Sequence, residues 1–169
     1  GPVLQKKTRM EIAEIAKDEV KNGGSLIAHV GAIDLTTAVE LARHAGRIGL
    51  DAISSVPPFF FHYGEAEIAD YYKALSDASG LPVLMYASPL SGVSITWDMV
   101  DRFMDIPNMI GLKWTSYDYF TMHRIKELRS GNIDADPCCH SEEDSQCRFC
   151  DWVSACQFRD GRDRDRLRY

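Results

Sequence analysis

Lys113 is the residue of this sequence whose position most needs a reason. It ends the apolar run Met109-Ile110-Gly111-Leu112 and is followed by Trp114, Thr115 and Ser116. Lysine is almost never fully buried without a partner, yet this one closes what reads as a buried strand. An amine kept out of water holds its proton less tightly and becomes a usable nucleophile near neutral pH. Such an amine attacks a ketone to form a Schiff base, an electron sink for making or breaking an adjacent C–C bond. The plainer alternative is a lysine at the strand's solvated end, reaching water along its own stem.

Tyr86 stands near the end of the preceding apolar run, Leu81 to Ala87. A phenol beside the lysine could carry protons to and from the oxygens of a carbonyl reaction; it could equally be an amphipathic residue with its hydroxyl in water. One run earlier, Asp51 to Val56 brings Ser54 and Ser55 to a strand end, followed by Pro57-Pro58 and the aromatic run Phe59-Phe60-Phe61. Ser54 and Ser55 are therefore candidate substrate-binding residues. His29, in the run Ser25 to Val30, is read as a packed, hydrogen-bonded histidine.

The elements that must position these groups alternate regularly. A helical pattern over residues 6–21 carries Ile12, Ile15, Ala16 and Val20 among charges, as an amphipathic surface helix does. The strand Ser25 to Val30 follows, then a helix starting near Asp34 or Thr36, with Thr37 and Glu40 as a possible capping box. Its inner stripe is Ala38, Leu41, Ala42, Ala45 and Ile48, and Gly46 and Gly49 mark its end. A third helix covers Glu65 to Ser79 and stops at Gly80; a fourth is capped by Thr96 and closed by Pro107; a fifth runs from about Tyr117 to Arg129. Strand exits near Val30, Val56, Tyr86 and Lys113 are 26, 30 and 27 residues apart. This rhythm with continuous apolar strands predicts an α/β fold, a parallel sheet covered by helices. A (β/α)8 barrel needs about 250 residues, so four units predict a partial barrel. The Gly-x-Gly-x-x-Gly turn of a doubly wound dinucleotide fold is absent. In a barrel the strand exits converge on one mouth, which would gather Ser54 or Ser55, the phenylalanine loop, Tyr86 and Lys113.

Composition narrows the classes. The 169 residues are 45% hydrophobic and 26% charged, with a formal charge of -6. That charge gives no electrostatic footprint for nucleic acid, and no apolar run is long enough to span a bilayer. No signal peptide is visible, and all five cysteines lie after residue 134, so the body is expected to be cytoplasmic.

Tyr86-Ala87-Ser88-Pro89, Leu90-Ser91-Gly92-Val93 and Gly111-Leu112-Lys113-Trp114-Thr115-Ser116 with Asp118 resemble the two signature segments of the N-acetylneuraminate lyase and dihydrodipicolinate synthase family. Val56-Pro57-Pro58-Phe59-Phe60 is similar to that family's strand-four exit, and the match runs from about residue 3 to 133. The resemblance implies a class I aldolase on a (β/α)8 TIM barrel, this chain supplying about strands 3–6. It implies pyruvate as the ketone, a sugar acid as substrate, a homotetramer in the intact family, and no cofactor or metal. It makes Lys113 the Schiff-base lysine, Tyr86 the proton-transferring tyrosine and Thr115 a pocket-lining residue. Within the family the lyase branch fits better. Leu90, Ser91 and Gly92 offer no cation where the synthase has an arginine, and Phe59 and Phe60 have no hydroxyl where it has a tyrosine. The expected reaction is cleavage of N-acetylneuraminate to pyruvate and N-acetylmannosamine. Alternatives are a synthase-like or other sugar-acid aldolase, or a catalytically inactive truncated remnant. The family's carboxylate-binding turn would precede residue 3, and its acidic pair would lie in strands beyond the match.

Two domains are expected: 1–134, the partial barrel, and 135–169, an unrelated tail. The tail ends in the alternating run Arg159-Asp160-Gly161-Arg162-Asp163-Arg164-Asp165-Arg166. Its few apolar residues predict a disordered segment with reactive thiols. The alternative is a zinc site over Cys138, Cys139, His140, Cys147 and Cys150, since Cys147-x-x-Cys150 has ligand spacing.

Overall fold

The computed structural model describes residues 3–20, 24–88, 91–128 and the strand 134–137. The elements are α1 (Lys6–Glu19), β1 (Ile27–His29), α2 (Leu35–Arg47), β2 (Ala52–Ser55), α3 (Glu65–Ser79), β3 (Val83–Ala87), α4 (Trp97–Phe103), β4 (Met109–Trp114), α5 (Tyr119–Glu127) and β5 (Asp134–Pro137). The five strands form one parallel sheet in sequential order β1-β2-β3-β4-β5.

One face of this sheet carries the helices. Ile53, Val83, Met85, Leu112 and Trp114 pack there with Ala38 and Leu41 of α2, Tyr72 and Leu75 of α3, Val100 and Phe103 of α4 and Ile125 of α5. The other face holds a small separate cluster of Ile27, Ala52 and Leu84, with Ile110 against it, and among the described residues no helical side chain joins it. Sequential parallel strands with helices on one side only are the arrangement of a barrel wall. A doubly wound sheet reverses its strand order and has helices on both faces.

The punctuation acts largely where the sequence places it. Thr96 Oγ1 accepts from Met99 N at 3.2 Å and starts α4. Gly80, at φ 63°, ends α3 in the left-handed conformation that glycine adopts without penalty. The cap of α2 is Asp34, whose carboxylate accepts from Thr37 N at 2.7 Å, so the expected box at Thr37 and Glu40 gives way to a cap three residues earlier.

Three elements differ from expectation. Of the expected stripe of α1, Ile12, Ile15 and, just past the helix end, Val20 are exposed; Ala16 packs as expected, joined by Met10 and Ala13. That face brings Arg9 to the end of β1 and Glu14 to His44 of α2, and the alanines let α1 lie close. Gly46 lies inside α2, where the backbone of Ser79 crosses it: a Cβ at Gly46 would meet Ser79 O at 2.3 Å. The strand β5 pairs with β4 from Gly111↔Asp134 to Trp114↔Pro137, so the boundary expected between residues 134 and 135 falls inside a strand. The tail cysteines, His140 and residues 89–90 of the signature lie outside the described residues. Among the described residues no helix is long and apolar enough to cross a membrane, and no group of three or more His, Cys, Asp or Glu side chains could hold a metal ion.

Candidate active site

The pairing register brings Lys113 beside Tyr86, through an irregularity in β4. Val83 pairs with Met109, but the next pair is Leu84↔Gly111, leaving Ile110 as an extra residue. Strict alternation from Met109, which packs under the helices, would send Lys113 to the helix side as well. The bulge reverses this. Leu112 and Trp114 take the helix side, and Lys113 joins the opposite face with its register partner Tyr86. Bulges commonly re-aim a side chain in this way, and a glycine inside a strand is their usual mark.

On that face Lys113 Nζ lies 4.4 Å from the centroid of the Tyr86 ring. Both side chains are half-buried, so the amine is less enclosed than a fully buried strand end would make it. The ring face carries partial negative charge and attracts the ammonium, which fixes the lysine above the phenol without neutralising it by a carboxylate. An amine held this way remains able to attack a carbonyl carbon, with a phenol within reach of the oxygens.

The other sequence candidates divide. Ser54 pairs with Leu84 and with His29, which sets it on the same face as Tyr86 and Lys113. Ser55 takes the helix side. It is fully buried, and its hydroxyl donates to Val56 O at 2.7 Å and lies 2.8 Å from the Tyr71 hydroxyl. The Ser55 proton is engaged by Val56 O, which leaves the Tyr71 hydroxyl to donate to Ser55 Oγ; burial, the largest influence, raises the Tyr71 pKa. Tyr72 donates to Ser55 O at 2.8 Å. Ser55 therefore locks the end of β2 to α3. Thr115 spends its hydroxyl on Ala87 O at 2.8 Å, and its amide donates to the same carbonyl at 3.1 Å, tying the exits of β3 and β4 together. The aromatic run stands apart from the lysine. Phe60, at φ 91°, is strained, and with Phe61 and Tyr63 it borders a cavity of about 460 Å³ closed by Ser91, Val93 and Met99. Neither Lys113 nor Tyr86 lines that cavity.

Two residues at the exit of β1 are not among the site candidates the sequence offers. Arg9 of α1 donates to His29 O at 2.6 Å and to Gly31 O at 3.0 Å, clamping the exit of β1. His29 is packed but not satisfied: its Nδ1 is sealed from solvent with no hydrogen-bond partner among the described residues. Its ring meets that of Tyr86 edge to face, centroids 6.0 Å apart. Burial, then the positive charges of Arg9 and Lys113, push its pKa down to about 4, so the imidazole is neutral at physiological pH. The signal was its place, a strand-end position like those of Tyr86 and Lys113.

Comparison with known proteins places the fold. The sequence profile of the dihydrodipicolinate synthetase family matches residues 1–134. The chain belongs to that family. An N-acetylneuraminate lyase of Pasteurella multocida is 35% identical over 132 residues, covering 78% of this chain and 45% of the relative. CdNal of Clostridium difficile, solved in complex with mannosamine, superposes with a TM-score of 0.75 at 34% identity, over 79% of this chain and 46% of that one. YagE, a prophage protein of the dihydrodipicolinic acid synthase family from E. coli K12 solved with pyruvate, gives 0.75 at 26% identity, over 79% and 47%. The family chain described here thus spans less than half the length of these relatives, and its sheet is a segment of their barrel.

Proposed function

We propose that this chain carries the Schiff-base centre of a class I pyruvate aldolase, with N-acetylneuraminate as the substrate cleaved to pyruvate and N-acetylmannosamine. The observation that carries the reading is the Lys113 ammonium 4.4 Å from the Tyr86 ring centroid on adjacent strand ends. Lys113 Nζ, once deprotonated, attacks the ketone carbon; the carbinolamine loses water and becomes an iminium. Tyr86 gives its proton to that departing water and, as the phenolate, takes the proton from the substrate hydroxyl as the adjacent C–C bond breaks. The electron pair moves to the iminium nitrogen, the aldehyde departs, and the enamine left behind is protonated and hydrolysed to free pyruvate and Lys113. Ser54 and Thr115 would border the bound ketone, with Ser55 behind them holding β2 in place. The lyase branch is supported by the N-acetylneuraminate lyase relative and by the mannosamine complex of CdNal. A homotetramer is proposed on the family resemblance alone.

A second reading is a piece that does not turn over by itself, favoured by the chain's span of 45% of its lyase relative. Borohydride reduction in the presence of pyruvate, followed by intact and peptide mass, tests the first reading. The expected result is one reduced adduct on Lys113 that Lys113→Ala abolishes. An adduct on Lys73 or Lys126, both on helices, overturns the assignment.

A further inference from the structure

His29 has no part in the steps assigned above, yet the fold fits it closely. Arg9 donates to the carbonyls of His29 and Gly31 at 2.6 and 3.0 Å, so one guanidinium fixes the backbone on both sides of Val30. Gly31 makes room for the imidazole: a Cβ there would stand 2.8 Å from Cε1 and 3.2 Å from Nε2. Inside this fitted space Nδ1 is buried without a partner among the described residues. An unpaired buried polar atom is unfavourable, and an apolar side chain would fill the same space without that penalty.

The imidazole does touch the Tyr86 ring. The two planes meet at 89° with centroids 6.0 Å apart, His29 reaching past the strand that carries Ser54. The same phenol lies beneath the Lys113 ammonium. Imidazole, phenol and ammonium thus make one stack across the exits of β1, β3 and β4. A protonated imidazole would set a second cation beside Lys113. Burial and the neighbouring charges of Arg9 and Lys113 keep it neutral, with a pKa pushed down to about 4.

We infer that His29 is a positioning residue for Tyr86: its edge-to-face contact holds the phenol ring so that the hydroxyl stays within proton-transfer reach of an adduct on Lys113. This rests on the reading of Lys113 and Tyr86 as the reacting pair. A phenol free to turn about its side-chain torsions loses the alignment on which proton transfer depends.

Exchange of the pyruvate methyl protons in D2O separates the two roles. The iminium on Lys113 acidifies the methyl group. One proton leaves to give the enamine, a deuteron returns to the same carbon, and hydrolysis releases deuterated pyruvate with no net redox change. Borohydride trapping reports the lysine's step, and NMR of the exchange reports the proton step. In the 169-residue chain His29→Gln is expected to trap pyruvate within about twofold of the unsubstituted chain while exchange slows by about tenfold or more. His29→Phe restores a ring without nitrogens and is expected to recover exchange to within about threefold. Should His29→Gln fail to fold by circular dichroism, His29→Leu takes its place in the comparison with His29→Phe. Exchange at the original rate in the ringless variant overturns the inference, as does equal loss of trapping and exchange, or a phenylalanine variant no better than the ringless one. Failure of the unsubstituted chain to trap pyruvate overturns the reaction reading itself, and the role of His29 with it.

Discussion

In the proposed mechanism Tyr86 and Lys113 divide the chemistry unequally, and single-atom changes expose the division. Tyr86→Phe keeps the ring under the ammonium and removes only the hydroxyl. Borohydride trapping of pyruvate should survive, while turnover in the assembled enzyme falls about 10²- to 10⁴-fold, the usual worth of a positioned acid or base; normal turnover in that variant removes Tyr86 from the proposed mechanism. His29 adds a pH dependence to stability. Its folded-state pKa of about 4 lies below the ordinary histidine value of 6.5, so between those values the unfolded chain binds more protons than the folded one. This group's contribution is complete above pH 6.5, declines as pH falls below that value and is lost by about pH 4, a change of up to about 3 kcal/mol. Urea unfolding at pH 7 and pH 4.5 should show the loss, and His29→Phe should reduce it; an unchanged difference between the two pH values counts against a buried neutral imidazole. Lys113 and Tyr86 were legible in the sequence because each interrupts an apolar run near a strand end. Ser54 and Ser55 could not be told apart there, since alternation assigns opposite faces but not which face is which. His29 was passed over because a histidine in an apolar run is ordinarily a satisfied one.

At the scale of elements, the facing of Lys113 depends on one extra residue in β4, which sequence periodicity alone would place wrongly. The boundaries of α3 and the cap of α4 were readable because Gly80 and Thr96 act through local geometry. The packing stripe of α1 was readable only at Ala16, because Ile12 and Ile15 outrank Met10 and Ala13 in hydrophobicity, while close approach to α2 favours small residues. β5 was missed because Asp134-Ala135-Asp136-Pro137 has no apolar pattern, and its pairing with β4 is a property of the backbone. Gly46 offers a direct test of the contact between α2 and α3. The neighbour is a backbone oxygen that has no rotamer to adopt, so Gly46→Ala should lower stability by about 1–3 kcal/mol by overpacking, despite alanine's better helix propensity. Equilibrium urea denaturation reads the change. A stabilised Gly46→Ala protein would mean that the two helices do not approach this closely.

For the whole molecule, the wall-like sheet has one consequence for association and one for its boundaries. Among the described residues the parallel sheet does not close, so β1 and β5 are its edges, and the face bearing Ile27, Ala52 and Leu84 is the one that a completed barrel encloses. The sequence gives the segment after β5 a composition unlike the body, and we propose that it forms a separate part of the chain. Limited proteolysis should therefore cut after residue 137 before it cuts the body. Protection of residues 138–156 that disappears with a chelator would support the zinc alternative instead. The fold class was readable at this scale because strand exits recur at nearly constant spacing, whereas the number of strands was not. The sequential strand order has a further meaning for how the chain is made. Each strand's sheet neighbour lies only one helix away along the chain, so every new unit finds its docking edge already synthesised. At about 5–20 residues per second, a ribosome takes seconds to deliver the next strand and helix. Local helix formation takes about a microsecond. The wall can thus be laid course by course as it emerges, with each strand serving as the template for the one that follows.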